Sequence, residues 1–331
     1  MNASDAEDSY LQAARLRLVE DLGEDIVNSL DDPDIDEIML NPDGRVFFET
    51  KGAGMQESES IAPARALSVV RAAAALLGRE ISTSCPVISG ELPFHGARIE
   101  AVLPPLVKAA CFSIRKHNAM MLTLFELEES GMLSQAQVVF LRQALKERRS
   151  ILVCGGTGCG KTTLVNAMLR ELSVLNPRER VVCIEDTPEL AVSLENRVCL
   201  CCAEGADMGV LLRATLRLRP DRIVVGEVRG AEALDLVDAL STGHSGGLAT
   251  LHAGSVPQAL KRICLLVSRH QAAPREIEAT VAQALDLIVL LERRPCRHVS
   301  EIARVQDFVR GEFICYSPQE LKSPEAHLSG V

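Results

Sequence analysis

The chain has 331 residues, which at ~150 residues per domain predicts about two domains. Hydrophobic residues make up 47% and charged residues 24%, so the composition favours a globular protein and excludes a mainly disordered, collagen-like or coiled-coil chain. The net charge of −10 argues against a protein that coats DNA or RNA, because such proteins usually carry a basic surplus.

The acidic surplus is concentrated at the start of the chain. Residues 1–43 hold 13 acidic and two basic residues, a local sum of −11, whereas the rest of the chain holds 33 basic and 32 acidic residues. Such a segment is typical of a solvated surface. Apolar residues between positions 9 and 30 have helical spacing, so we predict an acidic helical segment over residues 1–30.

The cysteines and the absence of a targeting pattern lead us to expect a cytoplasmic protein. Several of the 11 cysteines sit in apolar runs, where they behave as small buried hydrophobes and not as a disulfide framework. Cys199 and Cys202 form a C-x-x-C pair without a second pair at zinc-site spacing, so we interpret them as strand residues. The sequence has neither a basic leader nor an apolar run of membrane-spanning length.

The first half of the chain predicts a small α+β domain over residues 31–118. A strand–turn–strand pattern over residues 35–49 contains the turn sequence NPDG and predicts a hairpin. Residues 63–77 are rich in Ala and Leu and predict a helix. Residues 87–114 predict short strands that are broken by Pro and Gly.

The second half predicts an α/β domain over residues 134–316, after a linker over residues 119–133. An amphipathic helix over residues 134–148 precedes apolar strands that alternate with helical stretches, which indicates a mainly parallel sheet covered by helices. The polar residues 317–331 predict a loose tail. The apolar strands are predicted over residues 150–154, 181–184, 222–225, 248–251 and 287–291.

The strongest motif reads GGTGCGKT and fits G-x-x-x-x-G-K-[ST] between a predicted strand and a predicted helix. Glycines let backbone N–H groups turn inward around phosphate oxygens, and a helix N-terminus adds favourable positive potential. We predict that Lys161 reaches the β- and γ-phosphates and that the Thr162 hydroxyl binds Mg²⁺. The predicted nucleotide-binding residues are Gly155, Gly156, Thr157, Gly158, Cys159, Gly160, Lys161, Thr162 and Thr163.

Two further apolar strands end in acidic residues. Glu227 follows the strand over residues 222–225, where a doubly wound sheet would place its carboxylate beside the phosphate loop, so we predict Glu227 as the general base. Glu185 and Asp186 follow the strand over residues 181–184 in the same way. We interpret them as a second edge that binds metal or water, with Glu185 in a catalytic role.

Two histidines flank a glycine pair and a short apolar strand in the stretch Thr242–His252. A lone histidine is more often structural than functional. This arrangement favours a contact to the γ-phosphate or a polar network at the site, so we predict His244 and His252 as catalytic residues.

These four motifs, in this order, resemble the secretion ATPase superfamily of type II, type IV and pilus motors. The phosphate loop is similar to the first box of that family, residues 184–187 to its Asp box, residues 222–230 to its Walker B segment and residues 242–252 to its His box. The resemblance covers roughly residues 30–315 and is greatest to the conjugal-transfer ATPases of the TrbB type. It implies an α/β fold in which a RecA-like P-loop NTPase domain follows a smaller N-terminal α+β domain.

The resemblance also implies ligands and partners. In that family the N-terminal domain supplies arginines to the nucleotide, and Arg98 and Arg115 occupy the matching positions, although without the family both would be ordinary surface arginines. The implied cofactors are ATP and Mg²⁺, with Thr162 and Glu185 as metal ligands. The implied partners are further copies in a homohexamer and inner-membrane components of a secretion or conjugation channel, with peripheral membrane association and little or no direct nucleic-acid binding.

We therefore predict a hexameric motor ATPase that energises a conjugative type IV secretion apparatus. The alternative is a pilus-assembly or type II secretion motor of the same superfamily. A RecA-like helicase is disfavoured because it needs basic or aromatic DNA-contacting loops, whereas aromatic residues are 3% of the chain and Trp is absent.

Cys159 stands in the phosphate loop where the family usually has Ser. A nearby lysine and a helix N-terminus favour the thiolate, so we expect a reactive thiol that solvent reaches in the empty site. The alternative is a side chain that points into the sheet and is inert.

Overall fold

The computed structural model describes residues 3–50, 54–94, 96–116, 122–203, 205–318 and 321, with only the backbone described for residues 3–8. The chain divides into two units, unit 1 over Met1–Asn118 and unit 2 over Ala119–Val331. In the part of the chain that is described, no helix combines the length and the apolar composition that crossing a bilayer requires.

Unit 1 is built on a six-stranded antiparallel sheet with the strand order β3-β2-β1-β6-β5-β4. The predicted hairpin is formed by its strands β1 and β2. In chain order the elements are α1 (Ala3–Leu22), α2 (Glu24–Asp31), β1 (Ile35–Leu40), β2 (Arg45–Thr50), β3 (Gly54–Ser60), α3 (Pro63–Leu76), β4 (Val87–Glu91), β5 (Arg98–Val102) and β6 (Cys111–Arg115).

The acidic segment at the start of the chain supplies part of the core of unit 1. The helix predicted over residues 1–30 is two helices, because Gly23 adopts a φ of 82° between α1 and α2. The apolar stripe of these helices, which includes Leu18 and Ile26, is buried against α3 and the sheet. Four buried alanines of α3 have short side chains and allow close helix packing; they are Ala66, Ala72, Ala73 and Ala74.

Unit 2 is built on an eight-stranded sheet with the order β14-β13-β12-β7-β11-β10-β8-β9. Six neighbouring strands are parallel to one another, in the order β12-β7-β11-β10-β8-β9. Strands β13 and β14 pair in antiparallel fashion at the β12 side of the sheet. In chain order the elements are α4 (Leu124–Glu129), α5 (Gln135–Lys146), β7 (Ile151–Gly155), α6 (Lys161–Leu175), β8 (Val181–Glu185), β9 (Arg197–Cys201), α7 (Met208–Thr215), β10 (Arg222–Val225), α8 (Ala233–Ser241), β11 (Leu248–Leu251), α9 (Val256–Val267), α10 (Ile277–Ala284), β12 (Leu287–Glu292), β13 (His298–Val309) and β14 (Glu312–Tyr316).

The central strands of unit 2 are mostly apolar and are buried along their whole length, because helices cover both faces of the sheet. All residues of β7, β8, β10 and β11 are buried. Alternate residues of β7 belong to two different apolar clusters: Ile151 and Val153 to one, Leu152 and Cys154 to the other. The predicted α/β fold with a mainly parallel sheet is confirmed.

The structure differs from the linker predicted over residues 119–133. Residues 119–121 lie outside the described residues, but Thr123 caps α4 and forms a reciprocal capping box with Glu126. Leu124 and Leu127 are buried in the core of unit 2. Residues 122–133 are therefore a folded part of unit 2, because Leu124 and Leu127 have a helical spacing that buries them on one side of α4.

Most of the tail predicted over residues 317–331 lies outside the described residues. Leu321 is described and is buried in the core of unit 2. Its carbonyl oxygen accepts a hydrogen bond of 3.0 Å from the Gln137 side-chain amide, so the chain is tied to α5 at this point.

A buried ion pair fixes the amino edge of the sheet in unit 2. The side chain of Arg222, the first residue of β10, is fully buried and pairs with Glu179. The Arg222 guanidinium also donates to the carbonyl oxygens of Leu145 at 2.7 Å and Gly246 at 3.3 Å. The Glu179 carboxylate accepts a further hydrogen bond of 3.0 Å from Arg148, so α5, β10 and the segments before β8 and β11 are joined at one point.

Replacing Arg222 with Leu should lower the free energy of unfolding by about 3–5 kcal/mol, because Glu179 would stay buried without its main partner. Urea unfolding followed by circular dichroism measures this change. The exposed Arg217 offers a matched control, and Arg217→Leu should change the same free energy by less than about 0.5 kcal/mol. Equal stability of the two variants would contradict a structural role for the buried pair.

Candidate active site

The carboxyl ends of the parallel strands in unit 2 form one edge of the sheet. The register pairs Cys154 of β7 with Leu251 of β11, and Ile184 of β8 with Val225 of β10. The residues that follow these strand ends therefore meet at this edge, which is where open α/β sheets bind ligands.

The loop between β7 and α6 needs glycine at two positions for different reasons. At Gly155 a Cβ atom would lie 2.7 Å from the carbonyl oxygen of Leu291 in β12, so only glycine allows this approach. Gly160 has a φ of 99° and lies directly before α6. The backbone of the loop thus lies open in front of the N-terminus of a 15-residue helix, a geometry that fits a phosphate group.

Lys161 places its ammonium group over this loop. The side chain is buried, and its Nζ donates hydrogen bonds to the carbonyl oxygens of Gly155 at 3.1 Å and Gly156 at 3.0 Å. A phosphate oxygen is a stronger acceptor for an ammonium group than a neutral carbonyl oxygen. The arrangement therefore suits an anion bound between the loop amides and the lysine.

The Thr162 hydroxyl contacts a carboxylate that the sequence interpretation missed. Thr162 Oγ1 donates to Glu189 Oε2 at 3.2 Å. Asn166 of α6 holds this segment in place, because its side-chain amide donates to the carbonyl oxygen of Glu189 at 3.1 Å and accepts from the N–H of Ala191 at 2.9 Å. The only signal for Glu189 in the sequence is its place four residues after Glu185 in the same acidic stretch.

Glu185 does not contact Thr162 in the structure. It is buried, and its carboxylate accepts hydrogen bonds from the N–H groups of Glu189 at 2.8 Å and Leu190 at 2.9 Å. Burial raises the pKa of the Glu185 carboxyl group to about 7, although the two N–H donors oppose this change. Glu185 thus orients the segment that brings Glu189 to Thr162, and its roles as a metal ligand and a catalytic residue stay predictions.

The oxygen atoms of Thr162 and Glu189 fit Mg²⁺, which is typically bound by one or two carboxylates together with phosphates and water. In the described ranges, no three His, Cys, Asp or Glu side chains are grouped as a metal site. A cation at this edge would therefore depend on oxygen atoms from a bound phosphate, in addition to those of the protein.

Glu227 lies at the same edge with both carboxylate oxygens in contact with neighbours. Glu227 Oε2 lies 2.7 Å from Nη2 of Arg229, and Oε1 lies 3.1 Å from Nε2 of His252. The other guanidinium nitrogen, Nη1 of Arg229, lies 3.3 Å from Oδ2 of Asp186. The Glu227 side chain is 20% exposed, so water can reach a carboxylate whose orientation is fixed from two sides.

The backbone beneath Glu227 is held to β11. The Thr250 hydroxyl donates to the carbonyl oxygen of Gly226 at 2.5 Å, and the N–H of Val228 donates to the carbonyl oxygen of Thr250 at 3.0 Å.

The surroundings of His252 change its pKa. Burial, and then the positive charge of Lys161, lower the pKa of His252. The lowered pKa favours the neutral imidazole of His252 in its contact with Glu227.

His244 lies at the opposite edge of the sheet. His244 lies four residues before the first residue of β11, and His252 directly follows its last residue. Since a strand rises about 3.3 Å per residue, the two histidines lie at opposite ends of β11. The Nδ1 atom of His244 is buried and has no hydrogen-bond partner among the described residues. The structure thus separates the two histidines, and it does not bring His244 to the residues around Lys161 and Glu227.

Residues 20–325 match the family model for the Type II/IV secretion system protein. This chain belongs to the type II/IV secretion family. Among curated relatives, the probable conjugal transfer protein TrbB of Sinorhizobium fredii is 40% identical over 92% of this chain and 93% of its own length. The type IV secretion system protein VirB11 of Brucella suis is 31% identical over 78% of this chain and 80% of its own length.

Solved structures of other proteins share the secretion-family fold. The ATPase DotB of Legionella pneumophila is 18% identical with a TM-score of 0.58, over 93% of this chain and 82% of DotB. The pilus retraction motor PilT, solved with bound ADP, is 16% identical with a TM-score of 0.58, over 88% of this chain and 81% of PilT. At these identities the comparison supports the predicted RecA-like fold and nothing further.

The arginines predicted to reach the nucleotide in this secretion-family protein lie in unit 1. Arg98 in β5 and Arg115 in β6 are directly paired across the two antiparallel strands. Cross-strand partners point to the same face of a sheet, so the two guanidinium groups share one face of unit 1. Their contact with a nucleotide stays a prediction.

The arginines near β10 differ in their contacts. Arg229 belongs to the site through Glu227 and Asp186. Arg213 pairs with Asp235 at 2.9 Å. The sequence alone did not separate these two roles.

Cys159 is buried, with 1% of its surface exposed, so the expectation of a thiol open to solvent is wrong. Its Sγ lies against Gly155, in the space that a Cβ atom there would occupy, and the residue belongs to an apolar cluster of unit 2. The side chain thus points into the protein while the backbone of residue 159 forms the loop. Cys154 is also buried, and burial raises the pKa of its thiol to about 12.

A thiol-alkylating reagent applied to the folded protein should leave Cys159 and Cys154 unmodified, because neither side chain is accessible. Peptide mass spectrometry should find modification first at the exposed cysteines, which are Cys85, Cys199, Cys201, Cys296 and Cys315. Cys159→Ser should react at the same rate as the unchanged protein. Early alkylation of Cys159, suppressed by Mg-ATP, would contradict the buried position.

Proposed function

We propose that this protein is an ATPase that energises a conjugative type IV secretion apparatus. One observation carries the proposal: the loop that holds Lys161 and the carboxylate of Glu227 share the carboxyl edge of one parallel sheet, in a chain of the type II/IV secretion family. A phosphate-binding loop beside a fixed carboxylate suits transfer of a phosphoryl group to water.

The residues around the loop fit Mg-ATP. Loop N–H groups and the Lys161 ammonium would hold the phosphates, and Thr162 with Glu189 would hold Mg²⁺. The metal supplies positive charge that balances the charge on the phosphates. The Lys161 ammonium group donates to the carbonyl oxygens of Gly155 and Gly156. A bound phosphate oxygen would accept hydrogen bonds from the same ammonium group in place of these carbonyl oxygens.

Glu227 would accept a proton from the attacking water. His252 and Arg229 each contact one of its oxygens, which fixes the direction of the carboxylate. A positioned base of this kind contributes about a hundred- to ten-thousandfold to the rate of a reaction.

The names of the relatives favour conjugation and type IV secretion over a pilus or type II motor. TrbB and VirB11 are conjugal-transfer and type IV secretion proteins, at 40% and 31% identity over most of this chain. PilT, a pilus retraction motor, shares the fold at 16% identity, and its likeness carries no information about the process served. The pilus motor stays the alternative function.

The proposal includes the assembly and the location. The protein would act as a homohexamer in the cytoplasm, at the inner-membrane components of the secretion channel. Arg98 and Arg115 of unit 1 would complete the nucleotide site, in the same subunit or in a neighbouring one. Their shared sheet face supports this role, because two guanidinium groups on one face can bind the same phosphate chain.

Glu227→Gln should retain ATP binding and lower ATP turnover by about a hundred- to ten-thousandfold, because the amide keeps the shape of the side chain but accepts no proton. Turnover is measured by phosphate release, and binding by calorimetry with ATP and Mg²⁺. Lys161→Ala is the control that should lose binding itself. Wild-type turnover in Glu227→Gln would contradict the role of the base, and wild-type turnover in Lys161→Ala would contradict the phosphate loop.

Arg98→Ala and Arg115→Ala should each lower ATP turnover by about tenfold or more, because a charge-assisted phosphate contact is lost. The unfolding of unit 2 should not change, since both residues lie in unit 1. Arg79→Ala, an exposed arginine of unit 1, is the matched control and should retain full turnover. If all three variants hydrolyse ATP at the wild-type rate, unit 1 supplies no arginine to the site.

A further inference from the structure

A second basic side chain lies on the phosphate loop, on the side away from Glu227. Strand β7 has two neighbours in the sheet, β11 and β12. His252 follows β11, and Glu227 follows β10 beyond it, whereas Arg293 follows β12. The Cα atoms of Leu291 in β12 and Gly155 in β7 are direct partners, so the chain that leaves β12 passes the loop.

The Arg293 guanidinium lies against the middle of the loop. Its Nη1 atom is 3.5 Å, and its Cζ atom 3.9 Å, from the position that a Cβ atom at Gly158 would occupy. Because Gly158 has no side chain and a φ of 70°, the guanidinium faces loop backbone at this point. None of the sequence motifs includes Arg293.

We propose that Arg293 is a nucleotide-binding residue whose guanidinium contacts a phosphate group of bound ADP or ATP. The inference rests on the proposed nucleotide site. A guanidinium is suited to phosphate because its N–H groups form a fixed planar fork that can donate two parallel hydrogen bonds. At Gly158 it stands beside the backbone that wraps the phosphates, with no side chain between.

The position of Arg293 indicates which phosphates it serves. Glu227 lies at the end of the site where the terminal phosphate is hydrolysed, and Arg293 approaches from the other side of β7. The contact is therefore to a phosphate that ADP and ATP share. A contact of this kind strengthens the binding of substrate and transition state equally, so it lowers KM and leaves kcat unchanged.

The charge of the chain gives this arginine a further role in attracting the ligand. The protein carries a net charge of −10, and a nucleotide is a polyanion. Arg293 is exposed and its guanidinium lies beside Gly158 of the loop, so its charge adds positive potential at the loop itself. Local positive potential at a binding site raises the rate at which an anion arrives.

The test is calorimetric ADP binding to the full-length protein with Mg²⁺ at low and moderate salt. Arg293→Ala should raise the Kd for ADP about tenfold or more and make it less dependent on salt, while Arg293→Lys, which keeps the charge, should lie between that variant and the unchanged protein. Arg294→Ala removes the same charge from the next residue and should stay within about twofold of the unchanged protein. In turnover assays Arg293→Ala should raise KM and leave kcat unchanged.

Three outcomes would overturn the inference while leaving the proposed ATPase in place. They are an unchanged Kd in Arg293→Ala, an equal rise in Arg294→Ala, and an equal loss of adenosine and ADP binding, which would place the contact at the base. If the unchanged protein binds neither ADP nor ATP, the proposed function itself fails. Arg293→Gln, with a thermal unfolding curve for every variant, separates a lost contact from a lost fold.

Discussion

The site depends on how closely β12 approaches β7 at Gly155. There the carbonyl oxygen of Leu291 occupies the space that a side chain would take, so the two strands can meet only if residue 155 is glycine. The same strand end supports Gly160, since the Leu291 side chain lies 3.9 Å from the position of a Cβ atom there. The turn into α6, and with it the position of Lys161, follows from this packing.

On the other side of the loop, buried polar residues hold in place the residues that we propose as contacts of the ligand. Glu185 is buried and binds two backbone N–H groups, and Asn166 binds the same segment from α6. Glu189 reaches Thr162 because of these contacts. Thr250 does the same for the backbone before Glu227. Buried hydrogen bonds thus fix the directions of partly exposed carboxylates, which is how a site is prepared before its ligand arrives.

Much of unit 2 could be predicted because its central strands are mostly apolar and buried along their whole length. Strands β10 and β11 begin and end at the predicted residues, since each is a run of four buried residues. The phosphate loop was recognisable because its glycines and lysine stand at fixed spacing. The helix α4 was missed although Thr123 and Glu126 have the spacing of a capping box, because the stretch between the two domains was interpreted as a linker.

The differences between the predicted and the observed arrangement of the site have one physical origin. A sequence gives the order of residues, but the edge of the sheet at which a residue lies depends on the length and direction of the strand beside it. His244 and His252 belong to one motif and lie at opposite ends of β11. The choice between Glu185 and Glu189 depended on which carboxylate turns inward, and burial of a carboxylate within the sheet edge is not visible in the order of residues.

The ion pair of Arg222 and Glu179 has a consequence for unit 2. It joins β10 and the segments before β8 and β11 to α5 through a fully buried guanidinium, whereas Glu227 beyond the carboxyl end of β10 is partly exposed. The buried ion pair and the phosphate loop thus lie at opposite ends of the same strands. Stability and ligand binding in unit 2 therefore depend on separate sets of contacts, so a substitution at one end can be made without removing the contacts at the other.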